Sequence, residues 1–256
     1  MRLYAVKTRI VKTGDNLPEI ILGSLKEQGL QLEDGDILAL TSKIITHAEG
    51  RLAKLGDIKP SEKAKKLAQR FSLQPEFVEL ILREADKIYG GVEKAFLTLK
   101  NGVLTANAGI DNKNAPEGFV ALWPNNPRNW AKFMREEIMH RTGKQVAILI
   151  VDSSLMPLRI GTTGLALAVA GFKPVKDCRG EKDIFGKPLL ITRHAIADDL
   201  ASAAHLLMGE AAQKTPVVLI KDAPVELDEG VYGSEDMKIS LSECIFMGVL
   251  HSNSRQ

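Results

Sequence analysis

The sequence predicts a mixed α/β fold. Short apolar runs inside residues 36–41, 146–151 and 216–220 read as buried strands, because no polar residue alternates within them. Amphipathic stretches with recognisable caps lie between these runs and read as helices. An Asn-Gly pair flanked by apolar residues adds a β-hairpin. With 256 residues the chain is long enough for one large domain or two intimate ones. Residues 1–250 are read as a single domain, which two intimate subdomains would also fit, and 251–256 as a frayed tail.

The elements follow in order. Residues 3–8 suggest a first strand. Asn16 reads as a helix N-cap, with Pro18 in the first turn and Glu19 at the capping-box position. Leu17, Ile20, Ile21 and Leu25 then share one face, and Gly29 ends the helix. Glu33, Asp34 and Gly35 make a turn before the strand at 36–41. Residues 60–73 predict a helix capped by Ser61, with Ala64, Leu67, Ala68 and Phe71 inward; a second helix starts near Pro75. Asn101-Gly102 suits the two positive φ values of a type I′ turn between 96–99 and 103–105. Residues 130–141 predict a helix closing at Gly143, with Trp130, Met134 and Ile138 in the core and His140 exposed near its C-terminus. The small residues of 161–171 imply tight backbone packing. Residues 195–210 predict an Ala-rich helix with Asp198, Asp199 and His205 mostly facing solvent.

Composition removes several functional classes. The formal net charge is +2, and Lys and Arg are spread along the chain, which gives no reason to expect nucleic acid or an anionic membrane as partner. Two cysteines without paired spacing, Cys178 and Cys244, exclude a disulfide scaffold and a Cys-based zinc site. No apolar run approaches the length of a membrane span, the first residues lack the apolar core of a signal peptide, and a cytoplasmic location is expected. There is no Walker A loop, no Gly-x-Gly-x-x-Gly and no His-Glu-x-x-His.

Three stretches offer chemistry. In residues 107–114 a carboxylate, Asp111, sits between Asn107 and Asn114 beside Gly109, offering the hard oxygen ligands that Mg²⁺ or Mn²⁺ prefer; Asn and Asp also build turns for conformational reasons alone. Residues 41–51 gather hydroxyls, Lys43, His47 and Arg51 after a strand end, which suits phosphate oxygens or equally a polar loop that caps a helix. Asp152 and Ser153 follow the strongest strand signal, where ligands gather in open α/β sheets, although Asp152 also fits a helix N-cap. Residues 176–187 read as a surface turn or an anion-binding loop.

Taken together these stretches resemble the coenzyme F420-0:L-glutamate ligases, the deazaflavin γ-glutamyl ligases. The carriers are Thr-Ser-Lys-Ile-Ile-x-x-Ala-Glu-Gly-Arg (41–51), Asn-Ala-Gly-Ile-Asp-x-x-Asn (107–114), the apolar strand ending in Asp152, Lys-Asp-x-Arg-Gly-x-x-Asp-x-Phe-Gly (176–186) and Leu-Met-Gly-Glu (207–210). The resemblance implies a mixed α/β fold in an intertwined homodimer. It implies a ligase that uses GTP, two Mn²⁺ or Mg²⁺ ions and often K⁺. Metal ligands would fall on Asp111, Asp152, Ser153 and Glu210. Nucleotide contacts would fall on Arg9, Ile10, Val11, Lys12, Ser42, His47 and Asn114, and on residues 208–216, beginning with Met208 and Gly209. Asp111, Asp152 and Arg159 would carry catalysis.

The chain also departs from the family pattern. His47 stands where the family usually has Lys, and Ser153 where it has Thr. Met156 replaces an Arg in the segment that keeps Arg159, and Asn125, Asn126 and Arg128 follow Trp123 where acidic residues are usual. The expected reaction joins L-glutamate to coenzyme F420-0 through an acyl phosphate. The altered Met156 and Asn126 region motivates a folate acceptor instead, and His47 motivates a homologue that binds a nucleotide or pterin-like ligand without catalysis.

Overall fold

The computed structural model describes residues 1–248. Its first half contains β1 (Arg2–Val6), α1 (Leu17–Glu27), β2 (Ile37–Thr41), α2 (Ser42–Glu49), β3 (Leu52–Lys54), α3 (Glu62–Phe71), α4 (Pro75–Glu84), β4 (Lys87–Val92), β5 (Ala95–Lys100), β6 (Val103–Ala106) and β7 (Phe119–Ala121). Then come α5 (Pro127–Thr142), β8 (Ala147–Leu155), β9 (Thr162–Phe172), β10 (Lys176–Asp177), β11 (Arg193–His194), α6 (Ile196–Met208), β12 (Val217–Lys221), β13 (Leu227–Gly233) and α7 (Ser234–Met237). The expected tail at 251–256 lies outside the described residues.

A six-stranded sheet, in the order β1-β12-β2-β8-β9-β13, forms the centre. Only β2 and β8 run parallel; every other neighbouring pair is antiparallel. Strand side chains alternate between faces, so each central strand feeds two cores. Leu38, Leu40, Ile148, Ile150, Val217 and Leu219 pack with α1, α2 and α5. Ile37, Ala39, Leu149, Val151, Val218 and Ile220 pack with α6. This two-sided burial is why these strands are unbroken apolar runs. A third core lies within residues 53–122, where α3 and α4 cover the small sheet β4-β5-β6; there Phe96 meets Phe71 edge to face at 4.8 Å.

The expected caps are present. Asn16 accepts from Glu19 N (3.2 Å) and Ser61 from Ala64 N (3.2 Å). The β5–β6 hairpin turns through Asn101 (φ 50) and Gly102 (φ 79), the two positive angles a type I′ turn requires. Gly164 of β9 lies so close to α6 that a Cβ there would collide with the Ala201 carbonyl, so the small-residue segment does serve close packing.

Several boundaries differ from expectation. The 41–51 stretch is no loop: α2 starts directly at the end of β2 because Ile44, Ile45 and Ala48 give it a short buried face, and Gly50 ends it in the left-handed region. Strand β8 continues beyond Val151 to Leu155, since Asp152–Leu155 pair with Leu165–Thr162 of β9. Asp152 therefore belongs to a strand and caps no helix. Helix α5 starts three residues early, where Asn126 accepts from Asn129 N (3.0 Å). Asp198 does not face solvent freely: its carboxylate accepts from Ala166 N (2.9 Å), and burial pushes its pKa up. Among the described residues no helix is long and apolar enough to cross a membrane.

Candidate active site

The neighbouring ends of β2 and β8 open onto a cleft of about 360 Å³. Its walls come from residues 8–11 after β1, the first turn of α2, residues 151–153 of β8, and the 205–216 segment that leads from α6 into β12. The Pro216 carbonyl accepts from Thr41 N (2.9 Å), which ties the far wall to the start of α2. The leading amides of α2 have no partner inside the helix, and Ser42 and Lys43 stand among them on the wall.

Two acidic residues from distant parts of the chain meet beside Lys43. Its Nζ lies 2.5 Å from Asp111 Oδ2. Asp111 Oδ1 accepts from Lys113 N (2.8 Å), and the Asp111 backbone pairs with Ala121 at the end of β7. Asp152 Oδ1 accepts from Ser153 N (2.8 Å), and its Oδ2 accepts the indole N–H of Trp123. Burial pushes the Asp152 carboxyl above its ordinary pKa; the Ser153 amide, the Lys43 charge and the Trp123 N–H only partly oppose this, and Asp111 adds like-charge repulsion.

Trp123 is itself held firmly. Its ring rests on Gly109, where any side chain would overlap the indole, and its carbonyl accepts from Arg51 Nε (3.1 Å). Lys100 Nζ stands 5.8 Å from the ring and, with Arg51, pairs with Glu84.

Glu210 stands on the 205–216 wall. It accepts from Thr162 Oγ1 (2.5 Å), pairs with His205 Nε2 (2.9 Å) and lies 3.5 Å from Lys113 Nζ. Burial works against its charge, but the Thr162 and His205 contacts and Lys113 hold its pKa below the ordinary value. His205 was expected to face solvent; it lines the cleft because Glu210 folds back onto it.

The implied site residues divide accordingly. Asp152, Ser153, Glu210, Arg9, Ile10, Val11, Ser42, His47, Asn114, Met208 and Gly209 line the cleft, and Asp111 joins it through Lys43. His47 Nε2 contacts the Asn114 carbonyl at 3.0 Å, so α2 and the 107–114 turn close on each other. Arg9 makes two bonds to Asp15 (2.6 and 2.9 Å), and this pairing with the Lys12 amide holds Asp15 down at about 2. Lys12 is off the wall; its amide is used by Asp15 (2.7 Å). Arg159 is not brought to the cleft. It sits in the exposed loop between β8 and β9, where Leu158 and Ile160 are fully exposed. Of the four implied metal ligands, Asp152, Ser153 and Glu210 line the cleft and Asp111 reaches it through Lys43, yet among the described residues no three acidic, histidine or cysteine side chains are grouped to hold one ion. Lys43 pairs with Asp111 and Lys113 with Glu210.

Sequence reasoning missed His205 and Trp123 as site residues. It placed Lys43 among groups that suit phosphate oxygens, or a polar loop, but not beside Asp111. The Trp123–Asp152 contact spans 29 residues and leaves no local pattern.

Comparison with known proteins identifies the family. The profile of the F420-0:Gamma-glutamyl ligase family matches residues 5–222. The chain is 39% identical over 221 residues to the coenzyme F420:L-glutamate ligase of Methanopyrus kandleri, covering 86% of each. It is 38% identical over 216 residues to the protein of that name from Methanothermobacter thermautotrophicus, covering 84% of this chain and 86% of the other. For the Methanosarcina mazei protein the identity is 40% over 215 residues, covering 84% and 83%. Similarity of this extent, over nearly the whole chain, means that the protein belongs to the F420-0:gamma-glutamyl ligase family and is a ligase that forms an amide bond.

Proposed function

We propose that this ligase joins the amino group of L-glutamate to a carboxylate of coenzyme F420-0 at the expense of GTP. A carboxylate does not acylate an amine in neutral water. Transfer of the γ-phosphoryl group from GTP to the acceptor carboxylate gives an acyl phosphate and GDP. Attack by the glutamate amine then forms the amide and expels phosphate. The names of the relatives support the acceptor, and the juxtaposition of Asp111, Lys43 and Asp152 beside the first turn of α2 is the observation that carries the reading.

In this reading the cleft receives the nucleotide. The leading amides of α2, Ser42 and His47 suit the phosphate chain. The cleft also holds the reacting groups in register, which removes much of the entropic barrier to bringing them together.

The donor set fits hard divalent cations such as Mn²⁺ or Mg²⁺. Asp111, Asp152 and Glu210 offer carboxylate oxygens and Ser153 a hydroxyl, with K⁺ as a further expected ion. Asp152 adds its own argument: burial opposes its charge, and a nearby cation would relieve that cost. Bound there, such ions would neutralise phosphate charge and polarise the transferred group.

A homodimer is part of the proposal. Leu155, Met156, Leu158 and Ile160 at the β8–β9 tip, and Ile184, Phe185, Leu190 and Ile191 beyond β10, are exposed apolar side chains of the kind that partner surfaces bury. Sedimentation equilibrium tests this, and a monomer at micromolar concentration would reject it.

The acceptor is tested by supplying coenzyme F420-0 or folate separately with glutamate and GTP and weighing the products. The expected product is coenzyme F420-0 plus glutamate less one water. Product from folate alone would transfer the reading to that acceptor. No glutamate-dependent phosphate release with either would leave a binding homologue.

A further inference from the structure

Lys43 stands on the cleft wall in the first turn of α2, with its Nζ 2.5 Å from Asp111. Asp152 lies on the same cleft wall. The lysine thus pairs directly with one acid assigned above to a divalent cation and shares the cleft with the other. An ammonium and a metal ion repel when both crowd the same carboxylate oxygens. The lysine stem is long and flexible, so the head can change partner while the backbone stays in place. The other groups on this stretch of wall, Ser42, His47 and the leading amides of α2, suit phosphate oxygens.

We infer that Lys43 is an exchangeable cation. It neutralises Asp111, releases that carboxylate to a divalent ion, and turns its ammonium onto the phosphate chain of the nucleotide, where it offsets charge on the group being transferred. The inference rests on the reading of Asp111 and Asp152 as metal ligands. Its signature is that removing the lysine charge moves metal affinity and turnover in opposite directions, which a purely structural lysine would not do.

The test uses the full chain. Mn²⁺ binding without nucleotide is followed by electron paramagnetic resonance of the free ion, and turnover is measured with GTP, glutamate and coenzyme F420-0. Lys43→Met keeps the stem and deletes the competing charge. Mn²⁺ should bind at least about fivefold more tightly, the scale of repulsion between unit charges some 4 Å apart even in bulk water. In the same variant kcat should fall about 10²- to 10³-fold. Lys43→Arg should keep Mn²⁺ affinity close to that of the parent and recover part of the turnover. Lys43→Gln repeats the measurement if the Met variant does not fold. Unchanged or weaker Mn²⁺ binding overturns the inference, as does tighter binding with undiminished kcat. Asp111→Asn separates the two readings. If its Mn²⁺ affinity is undiminished, the metal-ligand reading fails and the inference with it. If it binds Mn²⁺ more weakly while Lys43→Met binds no more tightly than the parent, the inference alone fails.

Discussion

The indole N–H of the buried Trp123 donates to Oδ2 of Asp152, so a half-buried carboxylate in the cleft is aimed by a ring packed in the core. Gly109 lies beneath that ring with φ +71, and Arg51 holds the carbonyl of the same tryptophan. The orientation of Asp152 is thereby set by residues from three separate segments.

Trp123→Phe keeps most of the ring volume and removes the donor. Loss of a hydrogen bond that orients a metal-binding carboxylate typically costs about 10- to 100-fold in metal affinity or activity. Steady-state kinetics and Mn²⁺ titration should both register this, and a variant with parental values in both would refute the orienting role.

Asp152→Asn keeps the shape of the side chain but leaves one acceptor oxygen for two donors, the Trp123 indole N–H and the Ser153 amide. Turnover should fall to background while the thermal melt drops only modestly, because the lost hydrogen bond is partly offset by removing a charge that burial opposes. Activity retained at the parental level would remove Asp152 from the catalytic set.

Gly164→Ala places a methyl group against the Ala201 carbonyl, where β9 meets α6. Neither a strand in mid-sheet nor a helix backbone gives way cheaply, so the expected loss is about 1–3 kcal/mol in urea unfolding. Stability equal to the parent would show that the two elements are free to separate.

Acid should weaken the Glu84–Lys100–Arg51 group. Burial alone would raise the Glu84 carboxyl, but Lys100 and Arg51 more than offset it and leave its pKa below 4.5. A folded value beneath the unfolded one gives stability that is fully present above about pH 4.5 and is lost as pH falls through the folded value. Glu84→Gln should cost about 3 kcal/mol at pH 7, since Lys100 then loses its directly paired carboxylate in a buried place. Urea melts from pH 7 to pH 3 should show parent and variant converging at the acid end; a constant difference would contradict the assignment.

Much of the fold was legible because burial on both faces of a sheet writes itself as a short apolar run. Ile37–Leu40 and Ala147–Val151 are of this kind. The pattern stops being readable where a strand leaves the core. Asp152–Leu155 remain paired with β9, but their polar residues resemble a strand end. Helix α2 was obscured in another way, since only Ile44, Ile45 and Ala48 mark its buried face among conspicuous polar groups. For the site, Asp111 and Asp152 stood out in the sequence as a turn and a strand-end carboxylate and Glu210 came through the resemblance, whereas their contacts were not legible. Lys43 and Asp111 are 68 residues apart, and nothing local announces that they touch. Arg159 shows the converse: the residue is kept, but its loop stands away from the cleft wall.

The place of β12 in the central sheet bears on synthesis. It comes from late in the chain yet lies between β1 and β2, and β1 has no other neighbour in that sheet. A growing polypeptide on the ribosome that has not reached Lys221 must carry β1 unpaired and one edge of β2 open. Those edges are templates for intermolecular pairing until the late strand slots in. Chaperone demand should therefore be greatest just before β12 emerges.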